Sequence, residues 1–168
     1  RAAAAQDEER GALELEHLES RLPAAGYHWY EISNWATAGH ESRHNTLYWE
    51  RASVAAVGPG AHAFDGVTRR WNSANLDAWE GALRRGELPP GGESVAESDA
   101  ARVAERLVLA LRMARGVERD AAVRDGFSEV LAWGESNGLL APHPADASRI
   151  HLTMRGRLLS NELFSRIV

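Results

Sequence analysis

Residues 86–98 contain Pro89-Pro90-Gly91-Gly92 and almost no large apolar side chain. Proline fixes φ and lacks a backbone donor, and glycine has nothing to pack, so no element rooted in a hydrophobic core is expected to run through this stretch. The 168-residue chain is therefore read as two parts, 1–86 and 99–168, joined by a linker at 87–98. With 44% hydrophobic and 26% charged side chains, the chain is large enough for one core, or for one domain plus part of another, and disorder or a collagen-like repeat is excluded.

In the first part, Leu15, Leu18 and Leu22 recur at spacings of three and four opposite Glu14, Glu16 and Glu19, which predicts a helix over 6–22 stopped by Pro23 and Gly26. The aromatic run at 27–32 then reads as a strand emptying into a loop at Ser33-Asn34. A second apolar run at 54–57, followed by Gly58-Pro59-Gly60, fits a buried parallel strand opening into a glycine-rich turn. Both belong to an α/β sheet. A short strand at 69–73 and a helix at 76–85 complete this part.

Beyond the linker, Val103, Leu107, Leu111 and Ala114 form a helical stripe ending at Gly116. Shorter helices are expected at 118–125 and 128–136, followed by a hairpin whose second strand covers 149–153, and a closing helix at 156–167. Three helices, a hairpin and a helix resemble a winged-helix arrangement.

Several functions are excluded early. A net charge of −5 opposes a broad phosphate-binding surface, and the presumed second and third helices carry Glu118, Asp120, Asp125, Glu129 and Glu135 against Arg119 and Arg124, so nucleic acid is not an expected partner. No stretch approaches the ~20 apolar residues of a spanning helix, so no integral membrane segment is expected. The start, Arg1 and an alanine run before Gln6-Asp7-Glu8-Glu9, reads neither as a signal peptide nor as an initiation site, and a missing beginning is expected. Without cysteine the chain has no disulfide, no thiol nucleophile and no thiolate for an iron–sulfur cluster.

Chemistry-bearing side chains concentrate between the two presumed strands: Glu31, Asn34, Trp35, His40, Arg43, His44, Asn45, Tyr48 and Trp49. Loops leaving strand carboxyl ends are where α/β sheets bind ligands, and 33–49 is read as such a loop. His44 can ligate an iron while Tyr48 and Trp49 stack on a flat macrocycle; equally, the aromatics can pack the loop while His44 bonds to backbone. Gly58-Pro59-Gly60-Ala61-His62 allows close backbone approach to a ligand, or is simply a tight turn. His17, among glutamates, reads as solvated, and Asp120, Asp125 and Glu129 lack a histidine at metal-ligand spacing.

Taken in order, Tyr30-Glu31-Ile32-Ser33-Asn34-Trp35-Ala36, Ser42-Arg43-His44-Asn45 with Tyr48-Trp49, and Gly58-Pro59-Gly60-Ala61-His62 closely resemble consecutive motifs of the HemW group. These are radical S-adenosylmethionine (SAM) haem chaperones related to oxygen-independent coproporphyrinogen III oxidase. Glu105, Leu109, Leu111, Arg112, Gly116 and Val117, and then Leu152-Thr153, Gly156, Leu159-Ser160-Asn161 and Phe164, resemble the group's C-terminal motifs. The resemblance runs from about residue 10 to residue 168.

The resemblance implies the terminal part of a radical SAM partial (β/α) barrel at 1–86 and a small, mostly helical, winged-helix-like C-terminal domain at 99–168. It implies haem bound by His44, Asn45, Tyr48 and Trp49, with His44 on the iron, and SAM near Gly58, Gly60, Ala61 and His62. It further implies SAM and a [4Fe-4S] cluster in the full-length protein, a haem-acceptor protein as partner, a place in porphyrin metabolism and a cytoplasmic location. The function so implied is haem binding and delivery. The alternative is radical oxidative decarboxylation of coproporphyrinogen III, whose propionates call for several cations where the loop offers chiefly Arg43. A third reading makes the C-terminal domain a protein-docking or nucleic-acid module, the acidic composition of its presumed third helix opposing the nucleic-acid form. This chain alone is expected to be inactive, since it holds no cluster ligand.

Overall fold

The computed structural model describes residues 2–94 and 98–168. Helix α1 (Ala2–Arg21) half-buries Leu15 and leaves Glu14, Glu16 and His17 exposed, and Gly26, at φ 80°, closes the turn that follows it. Strands β1 (His28–Glu31) and β2 (Asn34–Ala36) pair antiparallel, with Trp29 opposite Trp35. The expected long loop at 33–49 is thus replaced by a tight hairpin and a helix. The Asn34 amide donates to the Glu31 carboxylate across the turn, holding the chain as it doubles back.

Helix α2 (Arg43–Trp49) follows. The parallel strand expected at 54–57 is not formed: Val54 makes a single antiparallel bridge to Phe64, and Val57 is 88% exposed. Gly58 and Gly60, at φ 94° and 71°, turn the chain back before a strand can grow. Strands β3 (His62–Phe64), β4 (Arg69–Asn72) and β5 (Gly91–Glu93) then form an antiparallel sheet in that order, with α3 (Leu76–Arg84) between β4 and β5.

β5 lies inside the expected linker. A Cβ on Gly91 would lie 2.3 Å from the Trp71 carbonyl oxygen, and one on Gly92 would lie 2.5 Å from the Trp71 ring. The glycines that read as a break are what let a strand pass this close. Residues 95–97 of that linker are outside the described residues.

Helix α4 (Asp99–Leu111) forms where its stripe predicts, burying Leu107 and Leu111. Strand β6 (Val117–Glu118) precedes α5 (Arg119–Arg124), and the Glu118 carboxylate accepts from the Ala121 amide at 2.6 Å, so this residue caps the helix from outside. Helix α6 (Ser128–Ser136), strands β7 (Leu140–His143) and β8 (Asp146–Leu152), and helices α7 (Met154–Leu158) and α8 (Ser160–Phe164) complete the chain. The single closing helix expected at 156–167 is instead two short ones, broken at Leu159 (φ −110°). The sheet order is β6-β8-β7. Content is mixed α/β, and among the described residues every strand pairing is antiparallel, not the parallel arrangement expected.

Contacts divide the chain into two units, one of Arg1–Arg43 with Val103–Val168 and one of His44–Arg102. In the first, Leu111, Leu131, Ile150, Leu152 and Leu163 are fully buried. The β1 hairpin belongs to this core: the Ala114 amide donates to the Tyr30 carbonyl at 2.9 Å, Glu31 bridges to Met113, and Trp29 and Ile32 pack on the cluster. The second unit has a smaller interior, with Phe64 and Ala82 buried.

We propose that 87–98 remains the place where the covalent chain divides. Limited proteolysis is expected to cut there and leave 1–86 and 99–168 associated through the Tyr30 to Ala114 contacts. Dissociation of the nicked pieces on native size-exclusion chromatography would contradict those contacts.

Candidate functional site

On α2, His44, Leu47 and Tyr48 stand at i, i+3 and i+4 and share one face. The His44 and Tyr48 rings meet edge to face, with centroids 4.8 Å apart. His44 is exposed, and Leu47 and Tyr48 are each 39% exposed, so this face offers an imidazole beside uncovered apolar surface. Asn45 and Trp49 sit on the adjoining, half-buried face. The structure thus pairs His44 with Tyr48 and sets the other two residues of the motif apart from them. Arg43 opens the helix and is exposed.

The helix ends in a Schellman motif: the Ala52 amide donates to the Leu47 carbonyl at 2.9 Å and the Arg51 amide to the Tyr48 carbonyl at 3.1 Å. The left-handed position of this motif is usually glycine; here Arg51 holds it at φ 52°, the sole non-glycine with positive φ among the described residues.

The Gly58-Pro59-Gly60-Ala61-His62 turn spends its backbone internally. The Gly60 amide donates to the Ser73 carbonyl at 3.0 Å, the Asn72 amide to the Ala61 carbonyl at 2.9 Å, and the Asn72 side-chain amide to the Gly58 carbonyl at 2.8 Å. His62 is exposed and stacks on Trp71, with centroids 6.4 Å apart. His62 and Tyr48 share the lining of a cavity of about 40 Å³ with Arg51, Val54, Phe64 and Arg69. Sequence reasoning missed Leu47, Arg51, Phe64 and Arg69. Only the i+3 position of Leu47 relative to His44 could have pointed to one of them.

Other clusters are structural. The Arg157 guanidinium, almost wholly buried, bonds to Glu19 at 2.7 Å and lies 4.3 Å over the Trp29 ring. His143 and His151 meet at 5.1 Å, but His143 Nδ1 accepts the Ala145 amide, which commits its tautomer; burial, then His143 and Arg157, push the His151 imidazole down. Among the described residues no three His, Cys, Asp or Glu side chains gather to hold a metal, and no helix is long and apolar enough to cross a membrane.

The fold matches part of a solved structure. The structure superposes on coproporphyrinogen III oxidase (HemN) from Escherichia coli, titled a radical SAM enzyme, with a TM-score of 0.63 over 91% of this chain and 39% of that one, at 15% identity. In sequence the chain is HemW-like along nearly its whole length: it is 38% identical over 161 residues to the heme chaperone HemW of Mycobacterium tuberculosis and 33% identical over 164 residues to that of Bacillus subtilis. Each alignment covers 94% of this chain and 39% or 42% of the relative, so the chain spans about two fifths of these proteins' length. No family model matches the chain.

Proposed function

We propose that the protein carrying this chain binds haem and passes it to acceptor proteins. The observation that supports this best is the α2 face, where an exposed His44 stands beside Leu47 and Tyr48 in a HemW-like sequence. An imidazole supplies an axial ligand and the neighbouring apolar surface accepts the flat ring, so these residues fit the group. Asn45 and Trp49, on the half-buried adjoining face, would support the helix from beneath.

SAM and a [4Fe-4S] cluster belong to this reading of the intact protein. The chain's residues do not fit the cluster, because it contains no cysteine. SAM would border the Gly58, Gly60, Ala61 and His62 turn, with His62 offered for contact since the carbonyls of Gly58 and Ala61 and the Gly60 amide are already engaged. We read the order α4, β6, α5, α6, β7, β8 as winged-helix-like and as a docking module for the acceptor, in a cytoplasmic protein serving porphyrin metabolism. The likeness to HemN favours a second reading, radical decarboxylation of coproporphyrinogen III.

His44→Ala in the intact protein is expected to weaken haem binding and shift the Soret band, whereas Tyr48→Ala should reduce affinity with less change in the band, because stacking adds contact area without touching the metal. His40 and His62 should be replaced singly as controls. An unchanged spectrum and affinity in folded His44→Ala protein would remove this residue from the site. The chain by itself is expected to retain no stoichiometric iron and sulfide after anaerobic reconstitution, and their retention would overturn the exclusion.

A further inference from the structure

We propose, resting on the docking reading above, that the apolar groove along α4, α5 and α6 takes an amphipathic segment of a partner polypeptide, one that sets a lysine or arginine between two large apolar side chains. These helices all belong to the first unit.

Two cavities make the groove. The smaller, of about 140 Å³, lies between α4 and α5 against Leu107, Ala110, Val117 and Ala122. The larger, of about 580 Å³, lies beside α6 against Val130 and Trp133. Phe127 lines both, so they adjoin at the corner between α5 and α6. Leu107, Val117 and Ala122 are part of the buried core, and Ala110, Phe127, Val130 and Trp133 pack against it, so the floor is preformed. A cavity of roughly 150 Å³ holds one benzene ring. The smaller cavity therefore suits one large side chain, and the larger continues the path past Phe127. An occupant of both is a chain that presents side chains at intervals, as a peptide does.

The rim specifies the charge of that chain. Asp125 lines the first cavity and Glu129 the second, on either side of Phe127 in the sequence. Both are exposed, and among the described residues neither makes an ion pair or a side-chain hydrogen bond. The arginines that could neutralise them are committed: Arg119 pairs with Glu135, and Arg124 lies 3.8 Å from Glu118. Arg166, which lines the larger cavity, is 3.8 Å over the Trp133 ring and pairs with Glu162 at 3.6 Å. Arg106 stands on the α4 wall, so the partner's basic residue belongs over the corner between α5 and α6 and not at the α4 end. A cation placed there gains the attraction of both carboxylates without displacing an existing ion pair. The same acidity repels nucleic acid, which leaves a polypeptide as the occupant.

The test selects a random peptide library displayed on phage against the intact protein, then titrates the enriched peptide in synthetic form. Enriched sequences are expected to share a lysine or arginine flanked by two large apolar residues. The double variant Asp125→Lys with Glu129→Lys, at exposed positions outside the core, should weaken that peptide about tenfold or more, as close charges turn from attraction to repulsion. Its thermal unfolding and its haem titration should match those of the unaltered protein. Ala121→Leu, which fills part of the smaller cavity, should weaken the peptide as well. A peptide that binds the double variant as tightly as the unaltered protein, or a consensus without a basic residue, would overturn the groove while leaving docking at another surface. Enrichment of no sequence would overturn the groove and the docking reading together, and the haem titration stands apart from both.

Discussion

Gly116→Ala is expected to be the most damaging single-methyl change in the chain, costing about 3 kcal/mol or more. Gly116 adopts φ 58°, and a Cβ there would stand 1.9 Å from the Ile150 carbonyl oxygen and 2.7 Å from its carbon. Those are backbone atoms of a fully buried residue in the central strand of the β6-β8-β7 sheet, so relief requires moving the sheet rather than rotating a side chain. Gly138→Ala supplies the control. Gly138 also has positive φ, 68°, but its Cβ would meet only the flexible Arg155 side chain at 3.9 Å, so this change isolates the conformational cost, about 1 kcal/mol. Urea denaturation followed by circular dichroism compares the two. If they agree within about 0.5 kcal/mol, the sheet yields and the close approach does not constrain it.

Glu19→Ala is expected to destabilise the same unit by about 3 kcal/mol, although Glu19 itself is partly exposed. Its carboxylate receives Arg157 Nη2 at 2.7 Å and the Trp35 indole N–H at 3.1 Å. The Arg157 side chain is 3% exposed and lies over Trp29, so losing Glu19 removes the carboxylate that the structure pairs with this buried cation among the described residues. Breaking a buried pair from one side costs far more than the pair is worth as a unit. The double variant Glu19→Gln with Arg157→Met, which removes the charges from both sides, should therefore recover most of the loss. A Glu19→Ala cost below about 0.5 kcal/mol, the range of an exposed ion pair, would show that water already reaches this guanidinium.

Where the residues spoke locally, the sequence was legible. The Leu107 and Leu111 stripe placed α4, helix α6 occupies the expected 128–136, and the motif order carried the HemW resemblance that the relatives share. Strand partners were not legible. The run at 54–57 looks like a buried strand, but Val54 instead meets Phe64, and which chain segment lies beside a strand depends on turns elsewhere. In the candidate site, the proximity of His44 to Tyr48 follows from helical spacing once α2 is known, but 33–49 lacks a clear apolar period and read as a loop.

By itself, the sequence determined the chemistry that is possible. Lacking cysteine, the chain has no thiolate for a cluster, and lacking any apolar run of ~20 residues, it has no spanning helix, because both are properties of residue type and count. Tertiary structure alone decided which charges converge. Arg51 ends a helix and Arg69 begins a strand, 18 positions apart as the numbering gives, and they meet on Phe64 only because β3 pairs with β4 in the register that sets Phe64 opposite Arg69 while Val54 bridges to Phe64. Register is a long-range property set by pairing between strands, and no local pattern at either arginine encodes it.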